Sequence, residues 1–185
     1  MLSYLFSVIG LLRFLGILNV AIWLGGAIFF SFGAALAIFS QEMQNLLGPK
    51  NYPFFSGAIA QIVIARYFRL QMVCCVIALL HVLAEWLYCG KTPRKLRVSL
   101  LIGLVTMSLF GDFGLQPILK KLHDVKYSPT ATPVQREEAS RSFGAWHGIS
   151  QVVNLLMLAG LTLYLWRLTN PPEEPRFLNA AKIRG

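Results

Sequence analysis

The chain has 185 residues, 56% hydrophobic and 14% charged, with a mean hydropathy of +0.59, which excludes an ordinary soluble globular domain and a disordered one. A net charge of +9 would suit nucleic acid in a soluble protein. Here the Lys and Arg residues cluster beside long apolar runs, so the basicity reads as membrane topology and lipid contact, with no nucleic acid as partner.

The first apolar run, Leu5 to Phe39, is broken by Arg13 and Asn19. Ala35-Leu36-Ala37 resembles a signal cleavage site, but the run far exceeds a signal core of roughly 7 to 15 residues and is expected to remain as a membrane span over about 8–38. Asn19, Gly26 and Gly33 recur every seven residues, a stripe suited to close helix packing. Gln41 to Tyr52 reads as a short polar connection, and Pro53 suits the first turn of the next helix. The second run, Phe54 to Tyr88, is longer than one crossing of about 30 Å requires. Arg66 and Arg69 place the crossing at about 68–89 and leave Phe54 to Ala65 as a helical extension at or beyond the interface. Cys74, Cys75 and Cys89 show no metal-ligand spacing and are expected to be buried thiols.

Gly90 to Arg97 carries four positive charges, with Thr92 as a helix cap and Pro93 at the first helical position. As the densest basic loop it is assigned to the cytoplasm. A third span, about 98–119, contains Asp112, and Pro117 is expected to kink its end. Lys120 to Ser142 is polar, with a loop at Ser128 to Ala131. Thr132-Pro133-Val134-Gln135 is a capping box that starts the last helix near Pro133, outside the bilayer. That helix crosses at about 144–167 and stops at Asn170-Pro171-Pro172, leaving residues 170–185 as a polar tail. Residues 1–185 are thus expected to form one all-α, integral membrane four-helix bundle with helical extensions outside the bilayer and both termini in the cytoplasm.

Three constellations could carry chemistry. In the last span His147, Ser150 and Asn154 stack along one helix face as a polar seam that must find partners inside the protein. Arg66, Arg69, Asp112 and His147 fall at similar depth, and an intramembrane Asp112 needs a partner such as Arg69. Together they form either a structural network or an outward-facing pocket for a proton, an ion or a small solute. His81 and Glu85 lie one turn apart, so His81, His147 and Glu85 are the candidate ligands of a haem b or a metal ion. The two histidines differ in depth by some 15 Å, too far for one iron to take both, though a five-coordinate haem on either is open. The alternative for Glu85 is to meet the basic loop or His81. No nucleophile with a placed base and no phosphate-binding glycine loop is recognisable, so no enzyme is expected.

The segments WLGGAIFFSFGAALAIF, YPFFSGAIA, LLHVLAEWLY, LQPILKKL and WHGISQVVNL together resemble the transmembrane protein 205 family over roughly residues 19–158. The most specific element is HGxSxxxN, here His147, Gly148, Ser150 and Asn154. The resemblance implies a four-helix membrane protein without an established reaction, whose animal members are linked to drug resistance and vesicle traffic. Trp23 to Gly26 is also similar to copper-resistance D type membrane proteins and their haem-binding relatives. The expected function is a non-enzymatic accessory or partner-binding membrane subunit, in contact with lipid and with other membrane subunits or itself. The alternatives are a haem- or metal-binding electron-transfer protein and a small-solute or ion permease.

Overall fold

The computed structural model describes residues 2–89 and 95–170, and these are helical apart from short turns. Helix α1 (Leu2–Ile28) passes through a π-helical segment (Phe29–Ala34) into α2 (Ala35–Ile38), and a short α3 (Gln41–Leu47) leads to α4 (Tyr52–Cys89). Then α5 (Lys95–Leu109) passes through a second π-helical segment (Phe110–Leu115) into α6 (Gln116–Tyr127), and α7 (Pro133–Thr169) closes the described chain. Four stretches are long and apolar enough to cross a bilayer: Gly10–Ile38, Tyr52–Tyr88, Lys95–Tyr127 and Pro133–Thr169. The protein is therefore an all-α membrane bundle, as its composition requires.

The four rods form a closed ring in which α1 packs on α4 and α7, and α5 packs on the same two. Apolar residues cover all sides of each rod, so size and shape rather than polarity select the core. Trp23, Leu101, Leu104, Leu161 and Tyr164 fill it, while Phe14, Leu80, Leu155 and Leu156 point outward as a lipid-contacting face would. Cys74 and Cys75 are buried, and the Cys89 side chain lies outside the described residues. The Thr92 cap, Pro93 and the tail from residue 171 also lie outside them.

The 38 residues of α4 span about 57 Å at 1.5 Å each, almost twice a hydrocarbon core. Both α4 and the 37-residue α7 are therefore longer than one crossing needs, and α7 starts at a capping box in which the Thr132 hydroxyl accepts from Gln135 N–H and the Gln135 side chain caps Thr132 in return. The connection from Gln41 is not the plain polar link that its composition suggests. Ser40 accepts from Met43 N–H at 3.2 Å and starts α3, and Gly48, with φ of 75°, ends it in a conformation natural to glycine. The Ser40 side chain also holds the Glu42 carboxyl below its usual value.

Pro117 does more than end a helix. Without an N–H it leaves a carbonyl unserved in the turn before it, and the chain widens there into π geometry, with Gln116 N–H bonded to the Gly111 carbonyl five residues back. The first π segment has no proline, and its Ala35 N–H bonds to the Phe30 carbonyl in the same way. The two segments share a sequence pattern, Phe29-Phe30-Ser31-Phe32-Gly33 and Phe110-Gly111-Asp112-Phe113-Gly114. In each, the first phenylalanine ring lies against the glycine four residues on, where a Cβ would meet it at 3.1 Å or 3.0 Å. Gly33 accordingly packs under Phe29 of its own helix and not against a neighbour, which corrects the seven-residue packing stripe at that position.

The other two members of the stripe do face α4. Asn19 Nδ2 donates to the Cys74 carbonyl at 2.9 Å, and a Cβ on Gly26 would reach Leu70 at 2.9 Å. One turn before Asn19, Gly16 lies flat against the His81 ring with no room for a Cβ. Asn19→Leu is expected to cost about 1 kcal/mol, the usual worth of one hydrogen bond between membrane helices. Gly16→Leu should cost more because it displaces His81. Unfolding of the purified protein by detergent titration ranks the two, and equal losses would contradict this packing.

Candidate functional site: an interior cavity and its two ends

His81, Glu85 and Arg97 come together at the end where α4 stops and α5 starts. His81 Nε2 lies 2.8 Å from the Leu12 carbonyl and Nδ1 lies 3.3 Å from an Arg97 guanidinium nitrogen. A carbonyl only accepts and a guanidinium only donates, so the ring is fixed as the Nε2–H tautomer. Arg97 also pairs with Glu85 at 2.6 Å, and Glu85 sits 3.6 Å from His81 Nε2. Both ring nitrogens thus lie within hydrogen-bond distance of protein groups. Glu85 meets the last residue of the basic loop. Next to this cluster Arg13 donates to the Thr169 carbonyl at 2.9 Å and ties the middle of α1 to the end of α7.

The seam on α7 faces inward at the other end. Asn154 Nδ2 donates to Ser31 Oγ at 2.7 Å, and that hydroxyl donates to the Ala27 carbonyl at 2.7 Å. Ser150 bonds back to the His147 carbonyl at 2.7 Å, and the Gln151 amide reaches His147 Nε2 at 3.2 Å. These residues line a partly open cavity of about 360 Å³ to which all four rods contribute. The first helix contributes Phe30, Ser31 and Ile38, α4 contributes Gln61, Ile64, Tyr67 and Gln71, the third rod contributes Met107, Gly111 and Gln116, and α7 adds Val153 and Met157 to the seam.

Both π segments border this cavity, and consecutive aromatics of α4 dock onto them. Tyr67 stacks on Phe30 with centroids 4.4 Å apart and planes 6° from parallel, and the Phe68 ring lies against Gly111. The Tyr67 hydroxyl and Gln71 Oε1 are buried in the cavity wall without a hydrogen-bond partner. Unpaired polar atoms in residues at only 8% and 2% exposure each forgo about 1–3 kcal/mol.

The grouping of Arg66, Arg69 and Asp112 with His147 is not formed. Arg66 and Arg69 are exposed, Asp112 is half-buried, and none of the three has an ion-pair partner among the described residues. Their depth matches, but their direction does not. Cavity positions on α4 run Gln61, Ile64, Tyr67, Phe68 and Gln71, so Arg66 and Arg69 fall on the opposite flank, where long side chains reach interfacial headgroups. On the third rod Gly111 and Leu115 line the cavity, and Asp112 does not. His81 and His147 also stand at opposite ends of the bundle, so one iron cannot bridge them. Among the described residues no cluster of three or more His, Cys, Asp or Glu side chains is placed to hold a metal ion.

Sequence reasoning passed over His123, Lys126 and the glutamine pair of α4. A spacing of Gln61, Ile64, Phe68 and Gln71 repeats every three or four residues on one face, and His123, Lys126 and Tyr127 do the same on α6. Those periodicities were the available signal.

Arg97→Met strips Glu85 and His81 of a shared donor and is expected to lower stability by about 2 kcal/mol, less than a fully buried pair because both charges keep some solvent. Adding Glu85→Gln should restore roughly half of that loss. Thermal unfolding in detergent measures both, and a double variant as weak as the sum of the single losses would contradict the coupling.

No curated protein and no solved structure matches the chain. A family model does match over residues 18–128, from the first span through α6, which holds three of the four cavity walls and leaves the α7 seam outside. On that match the chain belongs to the family described as a domain of unknown function (DUF4149).

Proposed function

We propose that this protein is a non-catalytic membrane protein that binds an amphipathic small molecule within its four-helix bundle. The observation that carries the reading is the cavity of about 360 Å³ whose walls are apolar except for a few convergent polar groups. Such a composition is typical of small-molecule sites. Tyr67 and Gln71 supply unsatisfied hydrogen-bonding capacity, and the Asn154 to Ser31 bond fixes α7 against the first π segment. π-Helical segments recur at functional sites, and two border this one. On this reading the basic end around Arg97 faces the cytoplasm, both chain ends lie there, and the resemblance to the transmembrane protein 205 family extends to this binding role through His147, Ser150 and Asn154.

A helper role toward another membrane subunit is the second reading. Leu46 on α3 and Val134 at the start of α7 are largely exposed on the parts that stand outside the bilayer, which gives a partner an apolar foothold. Leu46→Glu with Val134→Glu should then release subunits that co-purify with the wild type, and identical co-purification sinks the helper role.

The binding reading is tested by native mass spectrometry of the protein extracted from its own membrane in mild detergent. A small-molecule adduct is expected, and Val153→Trp, which fills the cavity from α7, should abolish it while leaving the melting temperature within a few degrees. An adduct that persists in Val153→Trp, or a wild type that never carries one, contradicts the proposal.

A further inference from the structure

Resting on the reading of the inner cavity as a binding site, we infer that its ligand is a single-chain anionic amphiphile whose carboxylate or phosphate head is received in an adjoining vestibule by Lys126, His123 and His147. The vestibule has a volume of about 300 Å³ and lies between α4, α6 and α7. It shares Phe39, Ala60, Gln61, Ile64, Leu119 and His147 with the inner cavity, so the two adjoin along those residues.

The two compartments differ in charge. The inner one has no Lys, Arg, Asp or Glu in its walls, which suits an alkyl chain. The vestibule has Lys126 and two histidines and no carboxylate. The Lys126 ammonium is held over two rings, 5.3 Å from the Tyr127 centroid and 5.9 Å from that of Phe143, so cation–π attraction fixes its position at the vestibule wall. It has no ion-pair partner among the described residues. An ammonium that is half-buried and without a carboxylate leaves local positive charge for an anion to neutralise.

His123 is an independent pointer. It lines the vestibule at 4% exposure, and neither ring nitrogen has a hydrogen-bond partner. The ring is wedged against Gly57, which leaves no room for a Cβ, and stacks on Phe54 at 5.6 Å. Asp124 is the nearest carboxylate, 3.8 Å from His123 Nδ1, but it is 60% exposed and faces a separate surface hollow with Lys120 and Lys121. Phe143 stacks on His147 at 5.9 Å and lies 6.4 Å from His123, so one aromatic ring separates the two imidazoles.

Depth agrees with a lipid-like ligand. His147 stands 22 residues from the end of α7 at Thr169, about 33 Å at 1.5 Å per residue, which is one hydrocarbon thickness. The head would rest at the interface and the chain would descend between the rods.

The test displaces a neutral dansyl-labelled dodecyl chain from the protein in nanodiscs with dodecanoate, dodecyl phosphate or dodecanol, at mildly alkaline pH where the acidic heads are ionised. At least one anion should compete at about tenfold lower concentration than dodecanol, and Lys126→Met should erase most of that preference while dodecanol binding persists. Preference for the carboxylate points to a fatty-acid head, preference for the phosphate to a lysolipid head, and either supports the inference. Equal competition by all three, or a preference unchanged in Lys126→Met, overturns the anionic head and leaves the inner site standing. A neutral probe that binds no better than to empty nanodiscs overturns the inner-site reading and this inference with it.

Discussion

Two of the four rods abandon α-helical spacing at the level where Tyr67 and Phe68 of α4 dock, and the interior space follows from that. A π turn widens the helix and turns the following residues relative to those before, so Ser31 and Gly111 are presented toward the centre where a regular helix would carry other side chains. Tyr67 on Phe30 and Phe68 on Gly111 then brace the widened turns from inside. A bundle of uninterrupted helices with these side chains would close on itself, since apolar interiors pack to crystal-like density unless geometry forbids it.

The two ends of the bundle differ for electrostatic reasons. At one end Glu85, Arg97, His81 and the Leu12 carbonyl bond to one another, and Arg13 fastens the middle of α1 to the end of α7. That end of the bundle is tied by ion-pair and hydrogen-bond contacts among its own side chains and lies beyond the buried core, apart from the cavity. At the other end Lys126 and His123 lack such partners, and aromatic rings hold them in place instead. Buried polar groups left without partners are costly wherever water is kept away from them.

Much of this was legible in the residues. Hydropathy located the four rods, the capping box at Thr132 placed the start of α7, and the His147, Ser150, Asn154 spacing picked out the face that looks inward. Depth was legible too, because 1.5 Å per residue fixes it once the ends are known. Direction was not, since in a helix that is apolar all round no moment distinguishes the lipid side from the core side. That is why Arg66, Arg69 and Asp112 were grouped with His147 when they share only its height. The π segments were hidden for another reason: hydropathy is blind to a change of helical pitch, and the repeated Phe-x-x-Phe-Gly pattern is visible only once its two copies are laid side by side. The spacing of His123, Lys126 and Tyr127 marks one face of α6, but that His123 lacks hydrogen-bond partners is a property of packing and shows only in the structure.

The central claim is that a chain-like molecule occupies the space between the rods rather than the lipid around them. The most direct measurement is the set of intermolecular nuclear Overhauser effects between a protonated dodecyl amphiphile and methyl-labelled protein in deuterated nanodiscs. Contacts to Met107, Val153 and Met157, which line the cavity, are the predicted result. Contacts confined to Val152, Leu155 and Leu156, which face outward on the same helix, would contradict it.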